Sequence, residues 1–234
     1  MTDPHLLAAA GRLGDRLGDH VRDAIAEVKP HLRGWLHAVT APLALAAGVV
    51  LVVLSPNATT RIGSAVFATT AMVLFTVSAI YHRGTWSPRI WAFLRRFDHA
   101  NIFLLIAGTY TPFSLLLLEG RNQVILLTTV WTGAVLGVLF RVFWTGAPRW
   151  LYTPIYLALG WAAVFFFRDF VHGTGAAVLT LMIVGGGLYT LGALVYALKW
   201  PNPLPRVLGF HEVFHLLVVA AAVTQFVAVS LVVM

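Results

Sequence analysis

The sequence predicts an all-α membrane protein, a bundle of seven transmembrane helices, and three observations carry that prediction. Apolar residues make up 59% of the 234 residues and charged ones only 11%, where an ordinary soluble domain carries roughly 25% charged. The apolar residues gather into seven runs, at 35–54, 62–82, 98–118, 123–141, 150–167, 175–198 and 210–233. Each run is close to the roughly 20 residues that span about 30 Å of hydrocarbon as a helix. The connections are too short for a second soluble domain, so residues 35–234 are expected to form one transmembrane bundle.

Residues 1–34 read differently. Leu6, Leu13, Leu17, Val21, Ile25, Val28 and Leu32 recur at helical spacing with arginines and aspartates between them, the pattern of an amphipathic helix. Its five basic and five acidic side chains cancel, and it is expected to lie along the membrane surface or cap the bundle on the cytoplasmic side. It does not read as a signal peptide, because the first long apolar run begins only at Trp35 and no small-residue cleavage site follows a short one.

The seven runs follow in order. Pro42 in the first, Pro112 in the third and Pro154 in the fifth would kink their helices or open space between neighbours. The second run ends on the polar sequence Ser78-Ala79-Ile80-Tyr81-His82, and the third is expected to start at Phe97-Asp98-His99. The fifth is short, ending near Arg168-Asp169. In the sixth, Gly185-Gly186-Gly187 and Gly192 would allow close approach to a neighbour. The seventh starts at Phe210-His211-Glu212-Val213-Phe214-His215. Trp35, Trp86, Trp91, Trp144, Trp150 and Trp200 fall near helix ends, as interfacial aromatics do.

Basic residues set the expected orientation. Arg12, Arg16, Arg22, Lys29, Arg33, Arg83, Arg89, Arg95, Arg96, Arg141, Arg149, Lys199 and Arg206 fall on one side, and only Arg61, Arg121 and Arg168 on the other. The positive-inside rule then puts the amino terminus in the cytoplasm and the carboxyl terminus outside, with the protein in the plasma membrane. The same asymmetry accounts for the formal net charge of +7 without a nucleic-acid partner, since the basic residues are scattered and form no patch.

With no cysteine in the chain, disulfides, thiolate metal sites and cysteine nucleophiles are excluded. Any metal must be held by imidazole and carboxylate. His82, Asp98, His211 and His215 all fall at the cytoplasmic ends of their helices, hence at one depth. His211 and His215 are one turn apart on one face, and Ser78 lies one turn deeper than His82. Ionisable residues inside a membrane are costly unless paired and so are functional candidates. Singly, each has a plainer reading: an interfacial histidine, or an aspartate paired with Arg95 or Arg96 or favouring a helix amino terminus. Together they predict a metal site. His5, His20, His31, His37 and His172 are not expected to be ligands, and His99 points about 100° from Asp98 on a helix, toward packing or support.

His211 to His215 also matches H-E-x-x-H, in which two histidines hold zinc and the glutamate is a general base. No histidine follows His215 to complete such a site, so a metalloprotease is the lesser reading and Glu212 has no assigned role.

Ser78-x-x-Tyr81-His82, the block Asp98-His99-Ala100-Asn101-Ile102-Phe103 leading to Ala107-Gly108-Thr109-Tyr110-Thr111-Pro112-Phe113, and His211-x-x-x-His215 resemble the haemolysin III family. That family is the bacterial branch of the progestin and adiponectin receptor superfamily, and the resemblance runs from about residue 33 to the end. It implies seven helices with the amino terminus inside and a zinc ion on His82, His211 and His215. It further implies that Asp98 orients or deprotonates the zinc's water, with Ser78 beside it. Relatives often carry a histidine where this chain has Gln225-Phe226, a position too deep for the ligands but able to alter the cavity.

What the resemblance implies functionally is a zinc-dependent, ceramidase-like hydrolase of a lipid amide or ester, involved in membrane lipid homeostasis. Asp98 would be its general base and Ser78 an oxyanion donor. Two other classes stay open: a non-enzymatic membrane sensor with zinc as a structural clamp, and a pore. A pore needs a polar-lined path, and these helices offer mainly glycine, threonine and serine.

Overall fold

The computed structural model describes residues 30–144 and 146–234. The amphipathic helix expected within 1–34 therefore lies, up to residue 29, outside the described residues. The rest is helical: α1 (Trp35–Leu54), α2 (Ala58–Arg83), α3 (Pro88–Leu117), α4 (Gly120–Phe143), α5 (Arg149–Gly160), α6 (Phe167–Gly173), α7 (Ala176–Leu198) and α8 (Phe210–Val233). A 3₁₀ turn, Ala162–Phe166, joins α5 to α6. These three pieces make one crossing, so the described residues hold seven segments long and apolar enough to span a membrane, and the chain is a multi-pass membrane protein.

Two boundaries depart from expectation. The third helix starts at Pro88 rather than near Phe97, because Ser87-Pro88 opens it, proline at a first helical position having no amide to lose. Arg89, Arg95 and Arg96 thus continue α3 beyond its apolar stretch, and Asp98 sits well inside the helix, away from any helix-end dipole. The fifth crossing is longer than expected and broken. Tyr110 stitches the break: its hydroxyl donates to the Gly160 carbonyl and accepts from the Ala163 amide at 3.0 Å, groups that would otherwise be unsatisfied in lipid.

Sequential helices pack as neighbours along α1 to α4, and α8 closes the bundle against α1, α2, α3 and α7. Lipid tails offer no hydrophobic drive between helices, so small residues and close contacts must hold them together. A Cβ on Gly63 would lie 3.0 Å from the Pro112 Cα, and one on Gly48 would lie 2.7 Å from the Ala68 Cβ. Two buried clusters result, one around Phe103, Leu126, Val130 and Val229 and the other around Phe75, Leu105 and Val218. The outer face carries exposed Leu43, Val53, Ile62 and Phe143.

The glycine run in α7 works differently from the expectation. Gly185 does lie tight against a neighbour, the Gln225 side chain of α8, and Gly192 meets Phe214. Gly186 and Gly187 face open space. Instead of closing an interface, Gly186 borders a gap beside the fifth crossing.

Candidate metal centre

The site is assembled from the end of α2, the start of α8, the interior of α3 and the segment preceding α1. Ser78 and His82 share a face at the end of α2, and His211 and His215 share a face at the start of α8. The α8 start is fixed by Glu212, whose carboxylate accepts the Gly209 amide hydrogen at 2.8 Å, while the Asn202 side chain accepts that of Phe210 at 3.1 Å. Amides at a helix start lack intrahelical acceptors, so these bonds set where the helix begins and thus where His211 points.

The three histidines offer ring nitrogens that all lie within 4.8 Å of one another, and His82 and His215 are buried. His82 Nε2 and His211 Nε2 are 3.2 Å apart. Two nitrogens each about 2.05 Å from a tetrahedral zinc would be separated by about 3.3 Å, so the spacing matches a shared metal. Asp98 Oδ2 is 3.8 Å from His82 Nε2, a spacing suited to a carboxylate acting across an intervening water. Ser78 is buried and lines the same cavity as Asp98. The residues present therefore fit a three-histidine metal site with an adjacent carboxylate. The plainer pairing of Asp98 with Arg95 or Arg96 is not seen: among the described residues its ion-pair contact is His82.

Glu212 has a structural part. It is fully buried, pairs with Arg33 and caps α8, so it is not free to act as the base of a zincin. This also ties the end of the amino-terminal segment to the site. His31 and Leu32 donate their amides to Arg206 and Val207 carbonyls at 3.0 and 3.3 Å. Arg83 stacks over the Trp35 ring at 3.5 Å. Gly34, at φ 80, presses on His82. A Cβ there would sit 2.8 Å from the His82 Cβ, in a backbone region that side chains disfavour. Gly34→Ala is accordingly expected to push His82 out of register and weaken any metal binding by the trio, checked by competitive titration of zinc against a chromophoric chelator.

His37 was not expected at the site, yet it is 2% exposed and stacks on His215 with ring centroids 3.9 Å apart. Depth would have found it, since it lies in the first turn of a helix whose start faces the same membrane side as His82. His99 turns away from Asp98, as its helical position implies, and meets Arg141 and Tyr196. His172 lies in α6, apart from the cluster.

The cluster stands at one end of a cavity of about 370 Å³ whose lining is mostly apolar. Gln225, about 15 Å further along α8 than His215 at 1.5 Å per residue, lines it deeper in. Its amide donates to the Met182 carbonyl at 3.3 Å. Trp161, Val164 and Ile183 both line the cavity and are exposed on the outer face of the bundle. The cavity thus reaches that face between the fifth crossing and α7, at the gap left by Gly186. A hydrogen bond from Trp161 Nε1 to Thr190 Oγ1, 3.0 Å long, bridges the two sides.

Comparison with known proteins places this arrangement. The chain is 29% identical over 196 residues to "Hemolysin-3 homolog" of Bacillus subtilis, covering 82% of this chain and 89% of that protein. It is 28% identical over 197 residues to "Hemolysin-3" of Bacillus cereus, covering 82% and 86%. A more distant relation is "Adiponectin receptor protein" of Drosophila melanogaster, 30% identical over 157 residues, covering 58% of this chain and 34% of that one. The model of the Haemolysin-III related family matches residues 25–226. Matched over that length, with seven spans among its described residues and three of its histidines gathered together, the chain belongs to the Haemolysin-III related family.

Proposed function

We propose that the protein is a zinc-dependent hydrolase of a lipid amide or ester, resident in the plasma membrane with its metal near the cytoplasmic face. The observation that carries the reading is the placement of three metal-spaced histidine nitrogens at the end of an apolar cavity that opens on the outer face of the bundle. His82, His211 and His215 would hold the ion, which when bound lowers the pKa of a water toward about 7.

The chain's own groups divide the remaining work. Asp98 accepts a proton at Oδ2, beside the His82 ring, and Ser78 lines the cavity with it. The apolar walls take an acyl chain and exclude water from it, and the opening lets the chain enter from the bilayer without crossing an aqueous phase. Glu212, engaged with Arg33, keeps α8 in register and takes no part in proton transfer.

Turnover tests this directly. Zinc-loaded protein in lipid nanodiscs is expected to hydrolyse N-acyl or O-acyl lipids in a mixed panel. Asp98→Asn should lower the rate about 100-fold or more, the usual contribution of a positioned base, while keeping its zinc. Absence of turnover above the His82→Ala background would sink the hydrolase reading. If zinc removal then lowered thermal stability alone, the ion would be a structural clamp between α2 and α8.

A further inference from the structure

Arg141 ends α4 as a buried cation, 2% exposed, with no carboxylate at ion-pairing distance among the described residues. Its Nη2 lies 2.9 Å from His99 Nδ1. A guanidinium only donates hydrogen bonds, so His99 Nδ1 must present its lone pair, and the neutral ring then carries its hydrogen on Nε2. That nitrogen is 3.3 Å from the Tyr196 hydroxyl, which is 3.2 Å from the Tyr152 hydroxyl.

Counting along this chain leaves a remainder. Arg141 donates to His99 and His99 donates to Tyr196. Of the two phenols, one donates to the other, and the remaining O–H has no protein acceptor among the described residues. It belongs to Tyr152 or Tyr196, and both line the cavity. The excess is of donors whichever phenol carries it. The Arg141 guanidinium also stands 4.4 Å over the Tyr152 ring, where a cation draws charge from the phenol and makes its hydroxyl a stronger donor. Tyr196 is in turn a ring neighbour of His211, at 5.8 Å between centroids. The unused phenol hydrogen therefore belongs to a residue lining the cavity, in a pair whose Tyr196 member adjoins the histidine cluster.

We propose that the Tyr152–Tyr196 pair is the hydrogen-bond donor that holds the carbonyl oxygen of the cavity's lipid, kept in its donating sense by Arg141 acting through the positioning residue His99. An ester, amide or carboxylate oxygen, which can only accept, is the group this wall takes. The proposal rests on the lipid-cavity reading above and adds to it the wall that orients the scissile group.

The test uses full-length zinc-loaded protein in nanodiscs and N-methylpalmitamide labelled with ¹³C at its carbonyl. In wild type the bound carbonyl infrared band is expected at lower frequency than in Tyr152→Phe/Tyr196→Phe, with binding about tenfold tighter, in line with one retained hydrogen bond. The positioning role is read from His99. Gln at this position can accept from Arg141 through its carbonyl and donate to Tyr196 through its amide, so His99→Gln should keep the band shift and His99→Leu lose it. Zinc content and melting temperature, measured on each variant, report its folding. An unchanged band in the double phenylalanine variant overturns the donor assignment, and an unchanged band in His99→Leu overturns the part played by Arg141 and His99. Wild-type protein that did not bind the amide would defeat the lipid-cavity reading itself, and this proposal with it.

Discussion

Alanine in place of His82, His211 or His215 is expected to abolish stoichiometric zinc, whereas Asp98→Asn should retain it. The nitrogens converge within 4.8 Å, and zinc sites gain about 10–16 kcal/mol from all their ligands together. Each imidazole is then worth on the order of 3 kcal/mol, and its loss about 100-fold or more in affinity. Asp98 is outside the trio whose ligand atoms converge, so its amide analogue removes a proton acceptor and leaves the ion. His37→Ala should also keep zinc, since that ring stacks on His215 from outside the trio. Metal analysis of the purified variants decides the matter. Full zinc in all three alanine variants would contradict the assigned ligand set.

Glu212→Ala is expected to destabilise the protein by about 3 kcal/mol without removing a reacting group. Breaking a buried ion pair typically costs 3–5 kcal/mol because a charge is left unpaired, and losing a helix cap costs about 1 kcal/mol. The Arg33 side chain is 19% exposed, so water relieves part of the first term. Glu212→Gln separates the two contributions: it can still accept from the Gly209 amide but turns the ion pair into a weaker contact, and about 2 kcal/mol should go. Thermal unfolding in detergent measures both. A zincin would respond oppositely, with Glu212→Gln abolishing turnover at unchanged stability.

The part of the site legible in the sequence was the part governed by helical periodicity and membrane depth. Ser78 and His82, or His211 and His215, share a face because α-helical geometry places residues four apart on one side. Charge asymmetry and span lengths put both pairs, with Asp98, at one end of the bundle. Depth alone also points to His37, which lies in the first turn of α1. Glu212 shows the opposite limit. It lies between two candidate ligand histidines, on a helix about 100° from His211 and about 60° from His215, and only the packed bundle shows Arg33 waiting on its side.

Sequence by itself therefore determined the number of crossings, their approximate limits and the set of residues able to reach one level, because each depends on local hydropathy and a fixed rise per residue. It could not determine which helices are neighbours. Lateral packing decided that α8 lies against α1 and α2, bringing His37 onto His215 and Glu212 to Arg33. It also decided that Gly186 borders a gap while Gly185 closes on Gln225. The physical reason is that helices in lipid associate through shape and a few polar contacts between distant residues, information held in no single stretch of the chain.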